Sequence, residues 1–383
     1  MENIKMLFEY NRRYYPRIRM ENKCVTFVNR SDEISDNTIK RIIDFINSVH
    51  KNYSGISIPI VFDFKKIKFA DKLTYIIFEC ICYSLIKDYK HSVYISLLPE
   101  KNILTDGIFY SPLQYLTGDK YDPKKFLHKF NIEIYQKHYR TVINGDVTDN
   151  YLGVLNQNIA TFLSAFGIEI ECKEQITEVI GELVGNACEH GQTSCLLDID
   201  ITTDYFKSDE DIEEDALYYG INIAILNFSK TLFGDGIKCK IDKKELGTRR
   251  YIELAKAYDY HKKHFSNQYS YVDFCNIASL QDKISGRPNE GESGGTGLTV
   301  LIRSLQEKAT ENNCYVLSGN RSVVFDKELL HYDDNNWLGF NKTKNFFSDI
   351  PNELAFYKCE VFIPGTAYNL NLIMKRDDLN ERN

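Results

Sequence analysis

Residues 174 to 191 read Glu-Gln-Ile-Thr-Glu-Val-Ile-Gly-Glu-Leu-Val-Gly-Asn-Ala-Cys-Glu-His-Gly and constrain the chain more than any other stretch. Ile176, Val179, Ile180, Leu183, Val184 and Ala187 recur at helical spacing, so one stripe of this segment has to be buried. At about 100° per residue, Glu182, Asn186 and Glu189 or His190 fall on a second stripe beside the apolar one rather than opposite it. The fold must therefore lay this helix on a core with an acid and an amide at its rim. Taken alone, the same pattern also describes a solvated helix face that ends at Gly191.

A second stretch narrows the choice. Gly291-Glu-Ser-Gly-Gly-Thr-Gly-Leu298 runs directly into an apolar-periodic segment from Thr299 to Gln306. Glycines just before a helix let backbone N–H groups approach an anion, and the helix N-terminus adds partial positive charge. A third piece, Pro364-Gly-Thr366, precedes Tyr368, Leu370, Leu372 and Met374, which alternate with Asn369 and Asn371 as a strand would.

Together, Glu182-x-x-x-Asn186 with Ala187 and His190, a later Gly-Gly-Thr-Gly-Leu, and a terminal Gly-Thr before a strand resemble the GHKL ATPases. The resemblance covers roughly residues 150 to 375. It implies a Bergerat-type α/β two-layer sandwich, a mixed sheet with helices on one face, that binds ATP and Mg²⁺. By that resemblance Glu182 orients and deprotonates the attacking water, and Asn186 ligates Mg²⁺. Gly294, Gly295, Thr296, Gly297 and Leu298 wrap the phosphates, and Thr366 bonds near the base or the water. His190 is either a phosphate contact or a structural residue at a helix end. Arg287, with Gln281, Lys283 and Ser285, precedes the glycines and suits phosphate contact. In the family an Asp at the end of a strand accepts from the adenine amino group. Here Asn227 corresponds, an acceptor without the charge.

The N-terminal part is of another kind. Residues 23–28 and 58–64 and the stretch Val93 to Leu98 read as strands. Ser35-Asp36 opens a helix with Ile39, Ile42, Ile43, Ile46 and Val49 on one face, and Leu73 to Tyr89 reads as a second helix. Strands alternating with helices indicate a small parallel or mixed α/β domain. Ile60-Val-Phe-Asp-Phe-Lys-Lys-Ile-Lys-Phe-Ala-Asp-Lys72 is similar to the STAS domains of anti-sigma-factor antagonists, over about residues 20 to 110. The phosphorylated members carry a serine after that aspartate, whereas here Lys72 follows Asp71. The fold class expected is α+β, with a STAS-like domain (1–110), a helical connector (111–150), the ATPase domain (151–376) and a polar tail (377–383).

Several function classes are disfavoured. A net charge of −7 argues against a nucleic-acid or anionic-membrane surface. The ten scattered cysteines lack Cys-x-x-Cys spacing and read as reduced, packing thiols of a cytoplasmic protein. The longest apolar run, Leu73 to Ile86, is too short to span a bilayer. No histidine precedes an acid, so a sensor histidine kinase fits poorly.

Other segments carry local expectations. The acidic stretch Asp204 to Asp215 reads as a loop, and helical patterns around Glu245 to His264 and Tyr271 to Ile284 fall where the family has its mobile ATP lid. Gly319-Asn320 reads as a hairpin turn, and residues 327–356 as an insertion around the only tryptophan, Trp337. The expectation is a Mg²⁺-dependent ATPase switch that signals to an unidentified protein partner, with a homodimer implied by the family. The alternatives are a protein serine kinase acting on a STAS partner, and a non-hydrolysing nucleotide sensor in a bacterial stress or phage-defence system.

Overall fold

A computed structural model describes residues 1–12, 18–29, 31–64, 68–97, 111–135, 137–146, 149–168, 170–205, 218–244, 249–282, 284, 299, 301–303 and 314–375. It is an α+β structure with two sheets of opposite type. In the first, β1 (Val25–Asn29), β2 (Ile60–Phe64) and β3 (Val93–Leu97) are parallel, in that order. Parallel neighbours need crossovers, and α2 (Asp36–Asn52) and α3 (Lys72–Lys87) supply them. A short α1 (Lys5–Tyr10) precedes the sheet. Burial alternates along β1, with Val25 and Phe27 inside and Val28 exposed, so the helices cover one face.

The second sheet has six strands in the order β4-β5-β6-β7-β9-β8: β4 (Ile132–Tyr135), β5 (His138–Ile143), β6 (Cys195–Tyr205), β7 (Tyr218–Asn227), β8 (Tyr315–Val324) and β9 (Phe356–Lys375). Every pairing is antiparallel, so the mixed sheet expected from the sequence is not found. Neighbours such as β4 and β5, or β6 and β7, follow one another along the chain without a crossover helix and so run in opposite directions. Nor is 111–150 a helical connector. It holds a helix, α4 (Pro123–Asn131), but β4 and β5 lie in the large sheet. His138 and Arg140 make β5 look polar, yet both are buried. The turn at Gly319-Asn320 is found. Gly319 has φ +62°, and Phe325 N donates to Cys314 O at 2.8 Å, which joins the two ends of β8.

Each face of the large sheet is covered. Leu197, Ile199 and Ile201 of β6 share a core with Ile221, Ile223 and Ile225 of β7 and with Leu155, Ile159, Leu183 and Val184 of two helices. These are α5 (Asp149–Ser164) and α6 (Ile170–Gly191). Of the interval between Asn227 and Gly294, where the lid is expected, α7 (Asp235–Lys243), α8 (Arg249–His261) and α9 (Tyr271–Ala278) pack into the same core, while residues 245–248, 283 and 285–294 lie outside the described residues. Residues 327–356 close over these helices. Trp337 is 1% exposed, stacks on Phe346 with centroids 5.3 Å apart, and lies under the Arg250 guanidinium.

The opposite face, with Leu196, Ala224, Leu226 and Ala367, packs against the parallel domain. Ions are buried there. Lys72 at the start of α3 pairs with Asp198 and Asp200 of β6. Arg140 of β5 pairs with Asp198 and with Glu79 of α3. His138 Nε2 is 2.8 Å from Asp198, Tyr75 and Ser111 donate to Glu79 at 2.6 and 2.8 Å, and Asn222 donates to Asp200 at 2.9 Å. Leu73 N donates to Asn369 Oδ1 at 3.1 Å, which holds the start of α3 on the sheet.

Candidate functional site

The site begins with the buried stripe of α6. Ile176, Val179, Ile180, Leu183, Val184 and Ala187 are all in the core, as their spacing requires. Glu182 and Asn186, one turn apart, are half-buried at its edge. Among the described residues neither side chain has a hydrogen-bond or ion-pair partner. Gly181, just before Glu182, lets α5 approach, whereas Gly185, just before Asn186, has room for a Cβ. A Cβ at Gly181 would lie 2.5 Å from Asn156 Oδ1, and one at Gly185 3.4 Å from Leu152 Cδ1. The helix is thus clamped against α5 at Gly181.

The end of α6 is held by Asn227, the last residue of β7. Its Nδ2 donates to Ala187 O at 2.6 Å, and its Oδ1 accepts from Thr366 N at 2.8 Å. One neighbour is an acceptor and the other a donor, which fixes the amide's orientation and explains an amide rather than a carboxylate at this position. Gly191 is needed because a Cβ there would overlap Asn227 Nδ2. Helix α6 ends with Gly191 still helical and Gln192 in the left-handed region at φ +48°, one residue later than its sequence suggests. Gly365, at φ +106°, lets β9 pass so close that a Cβ would lie 2.5 Å from Asn227 O.

The chain start also reaches this corner. Glu2 N donates to Ser194 Oγ at 2.7 Å and Asn3 Nδ2 to Thr193 Oγ1 at 3.0 Å, in the turn that follows α6.

The sequence-derived residues divide as follows. The structure brings Ala187, Asn227 and Thr366 together, with Glu182 and Asn186 on the adjoining helix. The side chain of His190, and all of Lys283, Ser285, Arg287, Gly294, Gly295, Thr296, Gly297 and Leu298, lie outside the described residues. Gln281 is no phosphate contact. It is buried, its Nε2 donates to Ile277 O and Leu338 O at 3.0 Å each, and its Oε1 accepts from Leu338 N at 2.8 Å. Asn227 engages both ends of its amide with protein groups and keeps for an adenine one N–H of Nδ2 and a second lone pair on Oδ1.

Among the described residues no group of three or more His, Cys, Asp or Glu forms a metal cage, and no helix is long and apolar enough to cross a membrane. No protein-family model, curated protein or solved structure matches the chain. The close approach of α5 at Gly181 leaves no local signal in the sequence beyond the glycine itself, one residue before Glu182.

Proposed function

We propose that the protein is a Mg²⁺-dependent, ATP-binding and ATP-hydrolysing switch of the GHKL type, with a Bergerat-type domain and a STAS-like domain. The observation that carries this reading is Asn227. It ties the end of the Glu182–Asn186 helix to Thr366 within β9, so stretches nearly two hundred residues apart meet beside two polar side chains that have no partner among the described residues.

Hydrolysis breaks the bond between the γ-phosphorus and the bridging oxygen as water attacks, and ADP leaves with the bridging oxygen's electrons. Glu182 orients that water and accepts its proton. Asn186 offers its amide oxygen, a hard neutral ligand for a hard cation. Bound Mg²⁺ supplies charge compensation at the phosphates. Arg287, His190 and the Gly294–Leu298 stretch are assigned to the phosphates, and Thr366 to the base or the water. The switch is further assigned a cytoplasmic setting, a homodimeric state and a protein partner.

The test is incubation with γ-labelled ATP and Mg²⁺ beside Glu182→Ala and Asn186→Ala. Free phosphate is expected from the wild type, and a loss of at least about a hundredfold in each variant. Label retained on protein would replace this reading with a protein kinase. Saturable ATP binding without turnover would replace it with a nucleotide sensor, and no binding would remove it.

A further inference from the structure

A cavity of about 390 Å³ lies between the N-terminal ends of α2 and α3 and the corner of the large sheet formed by β8 and β9. Pockets of this size hold small molecules and occur preferentially where domains meet. Ile39, Leu73 and Ile77 wall it on the side of the parallel domain, and Leu317, Val361 and Ile363 on the side of the large sheet. All six are buried.

The polar groups that line it have a marked bias. Asp36 opens α2 and Asp71 caps α3, and both reach the cavity. Tyr315 OH donates to Asp71 Oδ2 at 2.7 Å, and Tyr357 OH lies 3.5 Å from Asp36 Oδ2. Burial, and then the adjoining carboxylate, push both phenols' pKa up, so they remain donors to the acids. Backbone donors serve the carboxylates too, Thr74 N to Asp71 Oδ1 at 2.7 Å, Glu360 N to Asp36 Oδ2 at 3.0 Å and Asn37 N to Asp36 Oδ1 at 2.7 Å. What faces the cavity from these four side chains is therefore acceptor capacity.

Among the described residues neither carboxylate meets a Lys, Arg or His at ion-pair distance. The two helix ends supply roughly half a positive charge each. Against two carboxylates that leaves about one negative charge without a counterion among the described residues.

From this geometry we propose that the cavity binds a small organic monocation: an ammonium group at the two aspartates on an apolar body lying between the isoleucines of both domains. The remaining side-chain oxygens of the wall are the neutral hydroxyls of Ser35, Thr74 and Ser322, poor substitutes for the carboxylates and carbonyls that a hard divalent ion takes, and the apolar area rewards a hydrocarbon or aromatic body. Because each domain supplies half of the wall, the ligand bridges them. The proposal stands apart from the nucleotide reading and is tested without nucleotide.

Tryptamine, phenethylamine and pentylamine are titrated calorimetrically into the full chain, beside tryptophol, the uncharged alcohol that carries tryptamine's ring. At least one amine is expected to saturate one site per chain, and tryptamine to bind about tenfold more tightly than tryptophol. Asp71→Asn keeps an oxygen to cap α3, and is expected to lower amine affinity about tenfold while leaving tryptophol unchanged. Ala70 lines the cavity and is itself exposed, so Ala70→Trp blocks entry without disturbing the core and should abolish both. The proposal is overturned by no saturation with any amine up to about 10 mM, by equal affinity for the alcohol, or by amine binding that survives Ala70→Trp in a protein whose circular dichroism is unchanged.

Discussion

The two faces of the six-stranded sheet are built on different terms. Towards α5 and α6, β6 and β7 present Leu197, Ile199, Ile201, Ile221, Ile223 and Ile225, and the contact is apolar throughout. Towards α3 the same strands present Asp198, Asp200 and Asn222 among Leu196, Ala224 and Leu226. An apolar face tolerates small slips, because any hydrophobic neighbour of about the right volume satisfies it. A face with buried ions does not, because each charge taken from water must find its partner. The lesson is that the parallel domain is seated in one position on the sheet by charge, while the site helix is held on the other face by shape.

The largest test of that contrast removes Arg140, which is fully buried between Glu79 and Asp198. Arg140→Met leaves both carboxylates short of a counter-charge in the interior, and a loss of about 3–5 kcal/mol is expected. A lower urea midpoint with an unchanged slope is the signature. On the apolar face Ile223→Val should cost only about 0.5–1.5 kcal/mol. Adding Glu79→Met and Asp198→Leu to Arg140→Met leaves Lys72 with Asp200, and should restore most of the loss. If Arg140→Met costs no more than Ile223→Val, the charged face does not hold the domain.

The same contrast explains what was legible in the sequence. The stripe from Ile176 to Ala187 and the alternation of Leu197, Ile199 and Ile201 are local periodicities, and both survive intact in the fold. The parallel domain was legible as well, since a crossover helix between two strands leaves its mark within about forty residues. Burial of Asp198 and Asp200 was not, because a strand that alternates leucine with aspartate looks the same whether its acids meet water or a lysine. Their partner Lys72 is more than a hundred residues earlier. Residues 132–143 were read as part of a helical connector for the same reason, since His138 and Arg140 carry a polar signature that only tertiary pairing converts into a buried strand. At the site, the sequence supplied Asn227 and Thr366 by resemblance, whereas their mutual hydrogen bond and the tie to Ala187 depend on strand register and were out of its reach.

A second, smaller effect probes the join between the site helix and the sheet. If Asn227 merely stands in for the family's aspartate, Asn227→Asp should be neutral in stability and should tighten ATP binding. The geometry argues otherwise. The new carboxylate oxygen would face Ala187 O, with no donor between them, near the negative end of the α6 dipole. A cost of about 1–3 kcal/mol is expected, with no gain in nucleotide affinity by calorimetry. A tighter-binding variant of unchanged stability would show that the amide's orientation here is not what sets the residue.

A third test separates the regions by pH. His50 stacks on Tyr89 with centroids 3.9 Å apart and lies 5.6 Å from the His91 ring. Burial, then His91 and Arg12, push its pKa down to about 4 from 6.5. Burial also lowers His91. The unfolded chain then takes up protons near pH 6.5 that the folded chain refuses, so stability falls as pH drops from 6.5 towards 4. Asp198 works in a different window. Burial alone would raise its pKa, but Arg140, His138 and Lys72 together hold it well below the usual carboxylate range. Its contribution is therefore complete above about pH 3.9 and is lost only as pH falls through the lower folded value. Urea midpoints followed from pH 7 to 4 should decline in the wild type and in Lys72→Met alike, and decline less in a His50→Phe, His91→Phe variant, where His261, lowered by burial in the large-sheet core, still resists protonation. A decline that persists undiminished in the double variant and vanishes in Lys72→Met would move the acid sensitivity from the parallel domain's own core to its seat on the sheet.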